Sequence, residues 1–518
     1  MEIEGTVIRT WSSALRGMRA FLTIPWIAAI SFFLLIVFTA GRYGFFGDEL
    51  YYIACSKHLA FGYVDHPPLV ALLTLVSRSV FGESLLGLRV ISGMAGALTV
   101  LWAARLAQKL GGGPFAQAVA SLSIFFSTAF PALSSFYSMN AIDITLATLL
   151  FVLLADATRD PTPSRWIIVG LVFGLGALNK YTFLVLGFSF VVSLVVTRRW
   201  SILNNPWIYV GGTVGALLFL PHVMWQIAQG WPTLEFMRNA TEHKNLSLTL
   251  TELGGQLLIG LNPLTFPLWM VGLGILIASP ALRSVRFFGW MALIFLAVYG
   301  SQSSKFYYVI PIFPLLLSAG AVQAERFLMQ LSRPWFRWAL LSPIALTGCL
   351  LMPLAVPLLP PDQFITYSKT LGLWNAIRME RWEGDTLPLH FLFRFGWEEL
   401  VEDVAVSYQA LTTQEQKDCA ILTSWYAPAA AIDFYGPRHN LPSAISPHNS
   451  YWLWGPGNGP HTTVLAIGFD RHQLEEYFES VELVRTFSHP YALSQPLYIC
   501  KHLRKSVDEI WISIKAFS

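Results

Sequence analysis

Apolar runs fill the first two-thirds of the chain, and a helix that crosses a bilayer's hydrocarbon core needs roughly 20 apolar residues, fewer where neighbouring protein shields its ends. The runs are Phe21 to Ala40, Leu85 to Ala104, Phe115 to Leu133, Ala141 to Leu154, Trp166 to Leu178, Phe183 to Val196, Trp207 to Ile227, Leu264 to Ser279, Phe287 to Tyr299, Tyr307 to Ala321 and Trp338 to Leu358. The pattern predicts about 11 transmembrane helices over residues 1–358. The run at Phe21 is longer than a signal-peptide core and lacks a small-residue cleavage site, so it reads as the first anchor. Two connecting segments are long, and long loops between packed helices are usually working parts. In the first, residues 41–84, the stretch Leu69 to Val80 reads as a helix lying along the membrane interface. In the second, residues 230–263, Trp231-Pro232 is a breaker and Thr249 to Ile259 reads as another interfacial helix.

After Leu358 the pattern changes. Pro357, Pro360 and Pro361 punctuate the boundary, and charged residues then occur at an ordinary soluble frequency. Gly396 to Ala410 has helical spacing, with Trp397, Leu400, Val401, Val404 and Tyr408 on one side. Cys419 to Ser424, Thr463 to Phe469, Val481 to Phe487 and Leu497 to Lys501 read as strands, and Leu474 to Phe478 as helix. This alternation predicts a small α/β domain over residues 359–518.

Composition agrees with a polytopic α-helical membrane protein: 54% hydrophobic residues and only 13% charged, against about a quarter charged in soluble proteins. Nothing in it points to nucleic acid. The basic residues set an orientation. With a cytoplasmic N-terminus, Arg9, Arg16, Arg19, Arg105, Lys109, Arg159, Arg165, Arg198, Arg199, Arg283, Arg286, Arg326, Arg333 and Arg337 fall on the inner side, and the outer loops hold fewer: Arg42, Lys57, Arg78, Lys180, Arg238, Lys244 and Lys305. An odd number of spans then puts the segment after the first span, and the whole C-terminal domain, outside the cytoplasmic membrane. Four cysteines lack metal-ligand spacing; Cys419 and Cys500 can pair in an oxidising compartment, the alternative being unpaired thiols in a core.

The polar residues that stand out lie at the outer ends of the spans. Asp48 and Glu49 follow the first span, with Tyr51 and Tyr52 just behind. A carboxylate near low-dielectric lipid suits a general base that takes a proton from an acceptor hydroxyl, and the competing reading is a pair of ordinary solvated acids. Asp65-His66-Pro67-Pro68 adds an acid and an imidazole on a backbone stiffened by proline. It reads equally as the start of an interfacial helix, whose N-terminus would itself attract phosphate. Asp143, an acid at membrane depth, is a functional candidate by default, with helix capping as its alternative. Lys180, Lys305 and Arg42 share the face of these acids, with Tyr308 beside Lys305. Such cations either snorkel to the interface or form a clamp for a lipid phosphate. His58, His66, His222 and His243 do not make a metal set. Asn239 and Asn245 match the weak glycosylation acceptor pattern.

Taken jointly, these residues resemble the bacterial GT-C glycosyltransferases of the family 39 type. That group includes protein O-mannosyltransferase-like enzymes, lipid A aminoarabinose transferases and RgtA/B/C/D-like galacturonosyltransferases. The resemblance rests on Asp48-Glu49 with its aromatic pair, Asp65 to Pro68, Ser138 to Asp143, Asn179-Lys180-Tyr181, Phe236 to Ala240, and Lys305 to Tyr308 leading into Pro311. The C-terminal part resembles a domain found in a subset of these proteins, through Gly396 to Glu399, Tyr426 through Gly436, and Leu441-Pro442 through Asn449 to Pro456. Its aromatic run either stacks on sugar or packs on the membrane part.

The resemblance implies an enzyme that takes a sugar from a polyprenyl phosphate donor, with inversion, and passes it to a lipid, glycan or protein acceptor at the outer membrane face. It implies Asp48 as the base, Glu49 beside it and Asp143 as a second acid. Donor phosphate and substrate would meet Arg42, Tyr52, Asp65, His66, Lys180, Lys305 and Tyr308. His66 stands where the lipid A enzymes have a lysine, a departure that shifts phosphate binding towards Lys305, Lys180 and Arg42. A divalent metal is possible but not required, because the leaving group is already a phosphate ester. The alternatives are a lipid-sugar transporter or flippase, which would carry ionisable residues near the middle of its spans and paired halves, and a non-catalytic envelope-binding protein.

Overall fold

The computed structural model describes residues 2–244, 249–302, 305–331, 333, 335–374 and 387–518, with the backbone alone for 2–20, 243, 244 and 250. Asn245 therefore lies outside the described residues, as do the side chains of Arg9, Arg16, Arg19 and His243. The chain divides into two compact units. One comprises Met1–Ala40, Arg89–Pro221 and Leu246–Pro360, the other Gly41–Leu88, His222–Asn245 and Pro361–Ser518.

The first unit is helical. Six helices of the described chain are long and apolar enough to cross a membrane: Phe21–Thr39, Leu85–Lys109, Met139–Ala157, Pro206–Ala228, Phe306–Gln330 and Trp335–Leu354. The helices Leu85–Lys109 and Pro206–Ala228 run on into the second unit at the dividing points. Shorter apolar helices occupy Pro114–Phe125, Pro163–Asn179, Thr182–Val196 and Phe287–Gly300. The chain is a polytopic membrane protein.

Two expected elements differ in detail. Phe115 to Leu133 is broken into Pro114–Phe125 and Ala129–Ser134. The second expected interfacial helix and the span after it form a pair bent by 102°, Thr251–Gly260 followed by Pro263–Ala278. Asn262 makes that bend. It is fully buried and left-handed at φ 65°, a conformation asparagine tolerates better than most residues. Its Oδ1 accepts from Leu264 N at 3.2 Å, a donor left open at the break, and its Nδ2 donates to Phe126 O at 3.1 Å and Ile344 O at 2.9 Å, tying the bend to two neighbouring segments. A side chain at Gly320 would collide with Leu268 O, and one at Gly272 with Leu316 O. Small residues thus let the helices Phe266–Ala278 and Phe313–Gln330 approach backbone to backbone, the contact on which packing in lipid depends.

Glu325, from the helix Phe313–Gln330, accepts the N–H groups of Gly113, Phe115 and Ala116, which begin the helix Pro114–Phe125. These are donors that the helix cannot satisfy internally. Replacing Glu325 with Ala strands them in a buried site, and we expect a loss of about 3 kcal/mol, measured as a lowered unfolding temperature in detergent; an unchanged temperature would remove this anchor from the account.

The second unit carries a five-stranded sheet of order β2-β1-β3-β5-β4, with β1 Cys419–Thr423, β2 Ala444–Ile445, β3 Thr463–Ile467, β4 Phe478–Phe487 and β5 Gln495–Leu503. β1 pairs in parallel with β2 and β3, and β5 pairs antiparallel with β3 and β4. Ala420, Leu422, Val464, Ala466, Leu474, Phe478, Cys500 and Trp511 fill one core of this α/β domain. The expected strands and the helix Trp397–Gln409 are present; the helix expected at Leu474 to Phe478 lies at Arg471–Glu475, and Phe478 opens β4. Cys419 and Cys500 do not pair: both thiols are free. β3 lies between their strands, a separation of roughly 10 Å at two inter-strand spacings, beyond the reach of a disulfide.

The helix Leu69–Phe81 also belongs to this unit. It buries Val70, Ala71, Thr74 and Ser77 and exposes the apolar Leu72, Val76, Val80 and Phe81. Arg78 and Lys57 both pair with Glu83, at 2.7 and 3.1 Å.

Candidate active site

The residues singled out by sequence fall into two groups, one within each unit. Asp48, Glu49, Arg42, Tyr52, Asp65 and His66 belong to the second unit, and Asp143, Lys180, Lys305 and Tyr308 to the first.

In the second unit the helix Gly47–Lys57 is buried along most of its length. Asp48 is its second residue and stays half-buried. Its Oδ1 accepts the hydroxyl of Tyr426 at 2.6 Å, short enough to be charge-assisted. Glu49, fully buried, turns back so that Oε2 accepts the Phe46 N–H at 2.7 Å, the reciprocal arm of a helix cap. The two adjacent acids therefore have different surroundings, as their separation around the helix demands.

Asp65 repeats the arrangement of Asp48, its Oδ1 accepting the hydroxyl of Tyr51 at 3.0 Å. The rings of Tyr51 and Tyr426 lie 4.7 Å apart. Burial raises both phenols, and a carboxylate charge raises each further, Asp65 acting on Tyr51 and Asp48 on Tyr426. Both therefore stay protonated as donors. His66 is buried among Tyr51, Tyr52 and Tyr63, at ring distances of 5.8, 5.2 and 4.7 Å. Its Nδ1 lies 2.9 Å from Pro67 O; a carbonyl can only accept, so Nδ1 carries the hydrogen, and Nε2 faces Cys55 Sγ at 3.8 Å. Both ring nitrogens thus have partners inside the protein. Arg42 is exposed beside Tyr43, whose phenol burial pushes up to about 12 against the lowering effect of Arg394 and Arg42.

Further along, Asp433 accepts from the Tyr451 hydroxyl at 2.7 Å and the Ala444 N–H at 2.9 Å. Burial raises its carboxyl, while Tyr451, Ala444 and the charges of Lys57 and His58 pull it down; the net direction is upward. A carboxyl whose folded pKa is raised gives stability that is complete below the ordinary carboxylate range and is lost as pH rises through the raised value. We expect Asp433→Asn to flatten this part of the stability-against-pH curve, as read by thermal unfolding between pH about 4 and 7. A curve of unchanged slope would mean that other groups carry the dependence.

In the first unit, Ser138 caps the helix Met139–Ala157, and Asp143 lies one turn in, 1% exposed. Its Oδ2 is 4.0 Å from Lys180 Nζ. Lys180 follows the helix Pro163–Asn179 and donates to Asn140 Oδ1 at 2.7 Å. Its ammonium also lies over Tyr308 and Tyr307, 4.8 and 5.4 Å from the ring centres, and Lys305 lies over Tyr307 at 5.9 Å. Asn179 fixes the strand of chain between the helices by donating to Met139 O at 2.9 Å. Its Oδ1 is buried without a hydrogen-bond partner among the described residues. The four site residues expected here are thus brought together, with Asn140 and Tyr307 added. Cations set over aromatic faces and backed by a carboxylate can receive an anion such as a phosphate.

The expected site residues omitted Tyr51, Tyr426, Asn140 and Tyr307. Tyr51, Asn140 and Tyr307 stand in the motifs on which the resemblance rests, and Tyr426 in the resemblance of the C-terminal part, but nothing in the local sequence says that Tyr426, some 380 residues beyond Asp48, donates to it.

Comparison with known proteins agrees with this picture. The family described as dolichyl-phosphate-mannose-protein mannosyltransferase matches residues 65–225. An undecaprenyl phosphate-alpha-4-amino-4-deoxy-L-arabinose arabinosyl transferase of Pseudomonas savastanoi pv. phaseolicola is 34% identical over 122 residues, a stretch spanning 23% of each protein. The crystal structure of ArnT from Cupriavidus metallidurans bound to undecaprenyl phosphate superposes with a TM-score of 0.59 at 14% identity, covering 92% of this chain and 98% of that one. The archaeal oligosaccharyltransferase AglB from Archaeoglobus fulgidus, in complex with an inhibitory peptide and a dolichol-phosphate, gives 0.50 at 13% identity, covering 82% of this chain and 64% of that one. The fold is the one shared by these two membrane proteins. The chain shares the fold of ArnT over nearly its whole length, and is similar in sequence to the protein-mannosyltransferase family over residues 65–225.

Proposed function

We propose that this protein is an inverting membrane glycosyltransferase that moves a sugar from a polyprenyl-phosphate donor to an acceptor of the cell envelope. The reaction takes place on the outer face of the cytoplasmic membrane, with the N-terminus in the cytoplasm and the C-terminal domain outside. Asp48 takes the proton of the acceptor hydroxyl, the acceptor oxygen attacks the anomeric carbon from the side opposite the phosphate, and the bond from that carbon to the phosphate oxygen breaks. Polyprenyl phosphate departs with the electron pair of that bond. Lys180 and Lys305, backed by Asp143 and flanked by Tyr308, receive its charge, and Arg42 adds to the positive field. Asp65 is the second acid of the acceptor side. Glu49 and His66 hold the loop that carries these acids, and Tyr52 closes over His66.

What carries the reading is the state of Asp48: a half-buried carboxylate in the first turn of a packed helix, oriented by a short hydrogen bond from a neutral phenol. A solvated loop acid would have no such partner. The matched family segment and the ArnT-like fold point to the same chemistry. Envelope glycolipids from cells with and without the gene, compared by mass spectrometry, test it. The reading requires a lipid or glycan that loses one sugar mass in the deletion and regains it on complementation; identical profiles for lipids, glycans and envelope proteins would defeat it.

A further inference from the structure

The C-terminal α/β domain has no role in the chemistry proposed above, yet its residues reach Asp48 directly and Asp65 through Tyr51. Tyr426, the first residue of the helix Tyr426–Tyr435, donates to Asp48. Ser450 reaches Asp65 at one remove: its N–H donates to the Tyr51 oxygen at 3.3 Å, and the Tyr51 hydroxyl donates on to Asp65. The Ser450 hydroxyl also accepts the Val64 N–H at 3.1 Å, which ties the backbone just before Asp65 to the same turn.

We propose that the C-terminal domain is a working part of the acceptor side, with Tyr426 as the positioning residue for Asp48, and Tyr51 with Ser450 as those for Asp65. This rests on the reading of Asp48 as the base. A short carboxylate at the start of a helix can turn about both of its side-chain bonds, and reaction requires one orientation. The phenol of Tyr426 supplies it, and the phenol is itself held. The helix Tyr426–Tyr435 packs on Gly47–Lys57 so closely that a side chain at Gly47 would press on Ala427 and Trp397. Gly47 N donates to Phe393 O at 3.0 Å, Trp425 packs on Phe393 and Trp397 at 5.6 and 5.9 Å, and Thr423 Oγ1 caps Trp425 O at 2.9 Å. Phenylalanine would fill the same space. The hydroxyl adds only the contact with Asp48, whereas the Tyr51 hydroxyl meets Ser450 and Cys55 as well as Asp65. Asp65 and Tyr52 also act electrostatically on Tyr426, so the four groups form one polar cluster.

The test uses the full chain in lipid nanodiscs as wild type, Tyr426→Phe, Tyr51→Phe and Asp48→Asn. The transfer assay takes a total lipid extract of the source membrane as donor and acceptor. Tyr426→Phe should lower the transfer rate roughly 10–100-fold with the donor concentration at half-maximal rate unchanged, and it should move the acidic limb of the rate profile to higher pH, because a donor to the ionised carboxylate has been lost. On top of Asp48→Asn it should cost nothing more. In parallel, a water-soluble carbodiimide with glycine ethyl ester, read by peptide mass spectrometry, needs no activity. Asp48 should be modified about tenfold faster in Tyr426→Phe, and Asp65 faster in Tyr51→Phe. Equal labelling in variant and wild type, or a variant with the wild-type rate and pH profile, overturns the proposal. A wild type that modifies no lipid, and no envelope glycan or protein supplied beside it, defeats the glycosyltransferase reading instead, and the labelling still decides whether Tyr426 holds Asp48.

Discussion

Asp48→Asn is expected to reach the membrane at wild-type levels and to lose transfer by about a factor of 100 to 10,000, the usual contribution of a general base. Asparagine keeps the shape of the side chain and can still accept the Tyr426 hydroxyl through its carbonyl oxygen, so the fold around the helix Gly47–Lys57 should survive. What it cannot do is take a proton. The loss should lie in the rate at saturating donor, since Asp48 is assigned to the acceptor proton and the lysines to the phosphate. Glu49 provides the contrast: its carboxylate is committed to the Phe46 N–H, so Glu49→Gln should damage stability more than chemistry. If Asp48→Asn transferred at the wild-type rate while Glu49→Gln did not, the base would have been assigned to the wrong neighbour.

The second large effect is expected at Lys180. Lys180→Met removes the cation 4.0 Å from Asp143 and the donor to Asn140, leaving a carboxylate 1% exposed without its nearest countercharge. Breaking a buried pair from one side typically costs about 3–5 kcal/mol, so the variant should unfold at lower temperature and give less monodisperse protein in detergent. The double variant Lys180→Met with Asp143→Asn should regain most of that stability, because no uncompensated charge remains. It should not regain activity, since the receptor for the phosphate charge is still missing. Stability and function therefore part company in the double variant. Recovery of transfer along with stability would reduce the pair to a structural one.

The membrane architecture was legible from apolar runs because lipid imposes one rule on every span. The exceptions were places where a single residue overrides composition. Asn262 turns an apolar stretch through a sharp bend by capping Leu264 N and bonding across to Phe126 and Ile344, and no hydropathy average registers a side-chain amide. The small domain was legible from its alternating elements, but the distance between Cys419 and Cys500 depends on β3 lying between their strands, which is sheet order and not local pattern. At the site, residue types spoke clearly where chemistry is local: Asp48, Asp65, Asp143 and Lys180 stand out in apolar surroundings. What they touch did not. Glu49 looks like a twin of Asp48 in the sequence, yet one residue of helix rotation turns it into a cap. Nor does the sequence say that the two nitrogens of His66 face Pro67 and Cys55. Tyr426 was one aromatic among many in the C-terminal domain until the fold carried it to Asp48.

The central claim is transfer at Asp48, and reconstitution measures it most directly. Purified protein in proteoliposomes, supplied with the lipid extract of the source membrane, should release polyprenyl phosphate in step with the appearance of a glycosylated acceptor. Both signals should vanish together in Asp48→Asn. Movement of the lipid-linked sugar between leaflets without release of polyprenyl phosphate, unaffected by Asp48→Asn, would contradict the account and make the protein a transporter.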